Sequence, residues 1–175
     1  MMPKMKIQDV INNNDNKEFI LNAVKEKGKL LEYASKELQN DKEVVTAALE
    51  QDAEALEFAS TNLKNDKDIL LMGVKGAPWT ICYASEKLRE DRELILDSCK
   101  NYGQALYYAS EKLRDDREVV KAAVENKGII IKYASQRLQN DKEIAEIAVK
   151  QNKQAYHFIS LDLKQDEDIK NIILT

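Results

Sequence analysis

The chain has 175 residues, 33% of them charged, with a formal charge of −4 and only five glycines and two prolines. Such a composition is that of a helix-rich chain and excludes a disordered or all-β one. The negative balance argues against general affinity for nucleic acid or anionic lipid, and no run of 18 apolar residues is present to span a membrane.

The opening stretch, MMPKMKIQDV, carries no apolar segment followed by a small-residue cleavage site. No secretory signal is read there, and a cytoplasmic location is expected. Within residues 1–15, Ile7, Val10 and Ile11 make one short amphipathic turn that Asn12-Asn13-Asn14 breaks. This segment is expected to be a terminal cap on the unit that begins at Asn16, or else an arm.

From Asn16 onward the chain repeats itself. Tyr33-Ala34-Ser35, Phe58-Ala59-Ser60, Tyr83-Ala84-Ser85, Tyr108-Ala109-Ser110, Tyr133-Ala134-Ser135 and Phe158-Ile159-Ser160 stand at a spacing of 25 residues. A fixed period of that size marks a repeat array and decides the fold class before local propensity is weighed. The units are 16–40, 41–65, 66–90, 91–115, 116–140 and 141–165, with a half unit at 166–175. The expected architecture is all-α: a short solenoid of two-helix repeats.

The first half of each unit reads as a helix. In 41–51, Val44, Val45, Ala48 and Leu49 share one face at the helical period. Its start has two readings. The leading Asp (Asp41, Asp66, Asp91, Asp116, Asp141) can cap the free N–H groups, or Asn40 with Glu43 can form a capping box, as can Asn140 with Glu143. A break comes next, at Gly28, Gly103 and Gly128, where glycine can adopt the left-handed conformation that ends a helix. Pro78 holds the same slot in the third unit and suits the first turn of a new helix. The second helix is expected to carry Leu106, Ala109, Ser110 and Leu113 on one face. Its serine either bonds back to a carbonyl one turn earlier, the favoured reading, or caps a final short turn.

The last residues, DEDIKNIILT, supply one more first helix. Ile169, Ile173 and Leu174 can cover the sixth unit while their far side lacks a partner. A natural cap, a cut within a longer array, and end-to-end self-association through 166–175 all fit.

The recurring pattern, Asp-[Lys/Arg]-[Glu/Asp] followed by two apolar residues, then glycine, then Leu-x-[Tyr/Phe]-Ala-Ser-x-x-Leu, resembles a family of bacterial and protist tandem repeats known as domain of unknown function forty-one sixteen. The resemblance runs from Asn16 to Thr175. Asn16 in the first unit, Gly73 and Pro78 in the third, and Lys153 and Ile159 in the sixth depart from the pattern. The resemblance implies no activity and brings no catalytic residues.

The residues themselves assemble no catalytic or metal site. His157 is the single histidine, so paired-histidine metal sites and histidine triads cannot be built without it. It shares a variable slot with Glu32, Glu57, Cys82, Tyr107 and Lys132 and reads as a surface residue. Cys99 aligns with Val24, Leu49, Val74, Val124 and Val149 and reads as core. Cys82 and Cys99 are too few for a disulfide framework. A serine present in every unit does the same structural work in every unit, and no cofactor is implied.

Two surfaces stand out as partner sites. A basic stripe (Lys87, Arg89, Arg92, Lys112, Arg114, Arg117, Arg137, Lys142) recurs at the turns, but Glu86, Glu90, Asp91 and Glu93 interleave with its first group, which favours a solvated, ion-paired edge. The other surface uses two free slots three residues apart on the second helix. In the middle units these hold Trp79 and Cys82, Gln104 and Tyr107, and Ile129 and Lys132, where the outer units are polar. Aromatic residues inside a polar rim resemble a binding hot spot; the competing reading folds Trp79 over Pro78 into a gap left by Gly73. The expected function is a non-catalytic scaffold holding a protein or peptide. An RNA-binding role for the basic turns and a plain spacer role are the alternatives.

Overall fold

The computed structural model describes residues 6–174. Residues 1–5 of the expected cap and Thr175 lie outside the described residues. The chain divides into two compact bodies, Met1–Ser85 and Glu86–Thr175. Among the described residues every regular element is helical.

The first body begins with α1 (Ile7–Asn12) and contains the long helices α2 (Lys17–Glu26), α3 (Lys42–Gln51) and α5 (Lys67–Gly76). Between them lie 3-10 segments at Gly28–Tyr33, Leu38–Asn40, Ala53–Phe58 and Pro78–Tyr83, and a one-turn helix α4 (Thr61–Lys64). The second body runs α6 (Glu86–Arg89), α7 (Arg92–Asn101), α8 (Ala105–Tyr108), α9 (Glu111–Arg114), α10 (Arg117–Asn126), α11 (Gln136–Gln139), α12 (Lys142–Gln151) and α13 (Glu167–Leu174). Its 3-10 segments are Gly128–Tyr133, Lys153–His157 and Leu163–Gln165.

Each unit is thus a ten-residue α-helix followed by a second helical arm, and that arm is divided. The alanine of the Ala-Ser pair is extended, with Ala109 at φ −64°, ψ 151°, so the expected face through Leu106, Ala109 and Leu113 spans two short pieces. The serine opens the second piece. Ser35, Ser60, Ser110, Ser135 and Ser160 each accept the N–H three residues on at 3.2–3.4 Å, an N-cap in place of the favoured back-bond to a carbonyl. The physical reason is that their own N–H groups are committed elsewhere. They donate to carbonyls of the preceding segment: Ser35 to Asn14, Ser60 to Gln39, Ser110 to Arg89, Ser135 to Arg114 and Ser160 to Gln139, at 2.8–3.3 Å. At these five serines the rung joins a repeat to the stretch before it and forces the chain out of the helix. Asn14 serves Ser35 as Gln39 serves Ser60, so the stretch after α1 occupies the register of a preceding repeat.

The long helices start on aspartate. Asp41 accepts from the Glu43 and Val44 N–H groups at 3.0 and 3.1 Å, and Asp116 and Asp141 cap in the same manner. Asn40 and Asn140 face away from that task and accept from the Ser60 and Ser160 hydroxyls at 2.5 Å. Within each body the basic residue after a cap reaches the cap of the following unit. Lys17 meets Asp41 and Lys42 meets Asp66 in the first body; Arg92 meets Asp116, Arg117 meets Asp141 and Lys142 meets Asp166 in the second.

The glycine break corrects the expectation. No described glycine has a positive φ. Glycine is required because the next repeat's helix comes too close for a side chain: a Cβ on Gly103 would stand 2.5 Å from the Ala123 carbonyl oxygen. The Gly103 N–H donates to Asn126 Oδ1 at 2.8 Å and the Gly128 N–H to Gln151 Oε1 at 2.6 Å, so the same approach satisfies the amide.

The core lies between successive long helices and the 3-10 arms that flank them. In the first body Ile20, Leu31, Leu56, Ile69, Leu70 and Ile81 are fully buried; in the second, Leu94, Ile95, Leu106, Ile131, Leu138 and Ile144. At roughly 1.5–3 kcal/mol for each buried side chain of this size, these outweigh the exposed ion pairs, worth about 0.2–1 kcal/mol each. Cys99 is fully buried, as expected of its slot. On α13 only Ile169 is buried, while Leu174 is 82% exposed.

Candidate functional site

The six expected contact residues fall on both bodies. Trp79 and Cys82 belong to the first, on the 3-10 segment Pro78–Tyr83, which Pro78 opens at a position needing no N–H. Both are half-buried. Trp79 meets the Tyr83 ring edge-on at 5.9 Å. Space beside Gly73 is taken by Leu56 and Thr80, since a Cβ there would lie 2.5 Å from Leu56 Cδ2 and 3.1 Å from Thr80 Oγ1. Trp79 therefore fills no gap at Gly73. Lys29 foremost, with the Trp79 indole, holds the Glu54 carboxyl below its ordinary range.

Tyr83 is also covered by Lys64, whose Nζ sits 4.7 Å from the ring centroid and donates to the Glu57 carbonyl at 2.6 Å. Burial pushes the Tyr83 hydroxyl up to about 12, aided by the Glu57 charge. Burial likewise lowers Lys64, against the pull of Glu57. Nearby is a groove of about 550 Å³ lined by residues including Glu32, Lys36, Glu57, Phe58, Ser60 and Lys64.

Gln104, Tyr107, Ile129 and Lys132 belong to the second body. Gln104 precedes α8 and is half-buried, as is Ile129. Tyr107, on α8, is 54% exposed. Its ring meets Tyr108 edge-on at 5.0 Å and Tyr133 at 4.9 Å. Lys132 is exposed and lies over Tyr133 at 4.8 Å and Phe158 at 6.0 Å. Arg89 lies over Tyr108 at 5.8 Å. The result is a row of rings, Tyr108, Tyr107, Tyr133 and Phe158, with a cation at each side.

A groove of about 320 Å³ opens beside Tyr133, lined by Glu111, Arg114, Tyr133, Ala134 and Ser135. It is the second body's version of the groove at Phe58-Ala59-Ser60, three periods further along the chain. In both, the floor is the Ala-Ser pair and the rim is the short helical piece of the preceding unit.

Tyr133 and Phe158 are contact candidates that sequence reasoning assigned to the structural triplet. A signal was present. On a helix bearing Leu106 inward, Tyr108 is rotated by about 200° and points outward. The triplet's aromatic is thus a surface ring in every described unit, half-buried at Tyr33, Phe58, Tyr83, Tyr108 and Tyr133 and exposed at Phe158.

Other sequence candidates find structural partners. Arg92, Arg117 and Lys142 of the basic stripe are held in the ion-pair clasps between units, and Arg137 is paired with Asp115. Asp115 also accepts from the Ser135 hydroxyl. That hydroxyl is the main cause holding the Asp115 carboxyl below its usual range, and Arg137 adds to it. His157 is exposed. Burial pushes the Cys99 thiol up to about 12. Among the described residues no cluster of three or more histidine, cysteine, aspartate or glutamate side chains is placed to hold a metal ion, and no helix is long and apolar enough to cross a membrane.

Comparison with known families gives matches to one description, Domain of unknown function (DUF4116), over residues 16–64, 46–89, 66–114, 91–139 and 116–164. Four of these five begin on the first residue of a repeat and cover two consecutive units almost completely. No curated protein and no solved structure matches the chain.

Proposed function

The chain belongs to the DUF4116 family of tandem repeats, whose description assigns no activity, and from that premise we propose that it is a non-catalytic helical-repeat scaffold that binds a peptide segment of another protein. The binding face is the ring row of the second body, Tyr107, Tyr133 and Phe158 with Lys132.

One observation carries the reading. Tyr107 is more than half exposed, yet it is packed edge-on against two other tyrosines and so held in a fixed position. A rigid ring offers contact area with little ordering cost on binding, and tyrosine is enriched at interface hot spots. The polar motif residues give the complementary half of the argument. The described serines, cap aspartates and cap-adjacent bases are engaged in rungs, caps and clasps between units, which leaves the variable slots to vary with a partner.

The test is selection from an unbiased displayed peptide library on immobilised full-length protein, repeated with Tyr107→Ser/Phe158→Ser. Circular dichroism checks that the double variant keeps its helix content. Peptides enriched by the wild type and lost on the folded double variant are expected. No enrichment, or equal binding to both proteins, would overturn the reading.

A further inference from the structure

We propose that the row takes an acidic linear peptide, one that lays an apolar side chain on Tyr107, Tyr133 and Phe158 and sets carboxylates against Lys132 and Arg114. This rests on the reading of the row as a peptide-binding surface and adds the chemistry of the ligand.

The charges around the row decide its sign. Lys132 stands over Tyr133 and Phe158. Arg114 lines the groove beside Tyr133, where Glu111 is the opposing charge. Asp115, the next carboxylate along the rim, is already engaged by Arg137 and Ser135. The corresponding groove on the first body has no such excess: Glu32 and Glu57 offset Lys36 and Lys64 there. The variable slot shows the same contrast, with Glu32 and Glu57 in the first body and Tyr107, Lys132 and His157 in the second. Among the described residues the exposed rings, Tyr107 and Phe158, both lie on the second body, Phe158 under Lys132.

Geometry separates this ligand from a nucleic acid. Ring centroids 4.9 and 5.0 Å apart in edge-on contact leave no slot in which a base could be stacked between them. A long polyanion would also meet the whole chain's charge of −4. A short peptide feels chiefly the charges within about 8–10 Å, the screening length at ordinary salt, and those favour carboxylates.

The test uses two displayed libraries of equal length and apolar content, one with Asp and Glu at its variable charged positions and one with Lys and Arg. Full-length wild type, Lys132→Glu/Arg114→Glu and Tyr107→Ser/Phe158→Ser serve as baits, with labelled poly-uridine as a nucleic-acid probe and sedimentation velocity for self-association. The acidic library is expected to enrich over the basic one by roughly threefold to tenfold, the scale of two exposed ion pairs. The charge-reversed bait should invert that preference and the ring-deleted bait should abolish enrichment from both libraries. Equal enrichment of the two libraries would leave the peptide-binding surface standing and overturn the acidic ligand. No enrichment from either overturns both. Tighter binding of poly-uridine than of any peptide, or a dimer that Lys132→Glu/Arg114→Glu dissolves, would give the face to another occupant and overturn the proposal.

Discussion

Replacing Gly103 by alanine separates two explanations of the glycine that follows three of the long helices, at Gly28, Gly103 and Gly128. Its backbone has no positive φ, so from conformation alone alanine would be tolerated, and it would stabilise by about 0.4–1 kcal/mol through the unfolded chain. Packing gives the opposite sign. The new Cβ would meet the Ala123 carbonyl oxygen at 2.5 Å, Lys127 Cβ at 3.1 Å and Asn126 Oδ1 at 3.2 Å. Two of these can shift, but the nearest is backbone of the neighbouring helix. Overpacking of this kind costs about 1–3 kcal/mol. Pushing α10 away also strains the bond from Gly103 N–H to Asn126 Oδ1, worth roughly 0.5–1.5 kcal/mol. The net expectation is a loss of about 1–3 kcal/mol. In urea, with a slope of about 2 kcal/mol/M, the midpoint should fall by roughly 0.5–1.5 M at unchanged slope. An unchanged or higher midpoint would refute the close-approach argument, because only the conformational gain would then be left.

Three further outcomes are expected from the same contacts. Ser135→Ala removes the cap on α11 and the hydroxyl bond to Asp115, and should cost about 1 kcal/mol in the same urea assay; Ser135→Thr, which keeps the hydroxyl, should recover most of it. Acid should weaken the fold in a defined window. Glu143 is pushed down to about 2, first by Lys121 and then by Arg117, and Asp41, Asp66 and Asp166 are lowered chiefly by Lys17, Lys42 and Lys142. A carboxylate lowered by folding contributes fully above its unfolded value, about 3.9–4.3, and the contribution is lost as pH falls through the folded one. The urea midpoint should hold from pH 7 to about 4.5 and then decline, and Lys121→Gln should lessen the decline. Cys99 is fully buried with its thiol raised to about 12, so in Cys82→Ser protein its alkylation, followed by mass, should track global unfolding; rapid labelling under native conditions would contradict the burial.

What the sequence made legible was whatever recurs. The period, the capping aspartates and the buried slot of Cys99 all come from positions that must do the same thing in each unit. The division of the second arm was not legible, since Leu106, Ala109 and Leu113 satisfy a helical period whether or not the chain leaves the helix at Ala109. What breaks it is a bond to another repeat, Ser110 N–H to the Arg89 carbonyl, and no local pattern records that. Gly103 was misread for a related reason: its demand comes from Ala123 in the next unit. At the candidate site, Tyr107 was visible as a departure from the slot's usual polarity. Tyr133 and Phe158 were hidden because a residue common to all units looks structural, even when its ring faces outward.

The most direct measurement of the binding account is site-specific photocrosslinking of a selected peptide. A benzoylphenylalanine replaces Tyr107 in one protein and Glu32, which holds the same slot in the first body, in another. The account predicts crosslinked peptide at position 107 and little at position 32, with the adduct at 107 competed away by unlabelled peptide. Equal crosslinking at the two positions, or crosslinking at 32 alone, would contradict the assignment of the ring row as the binding face.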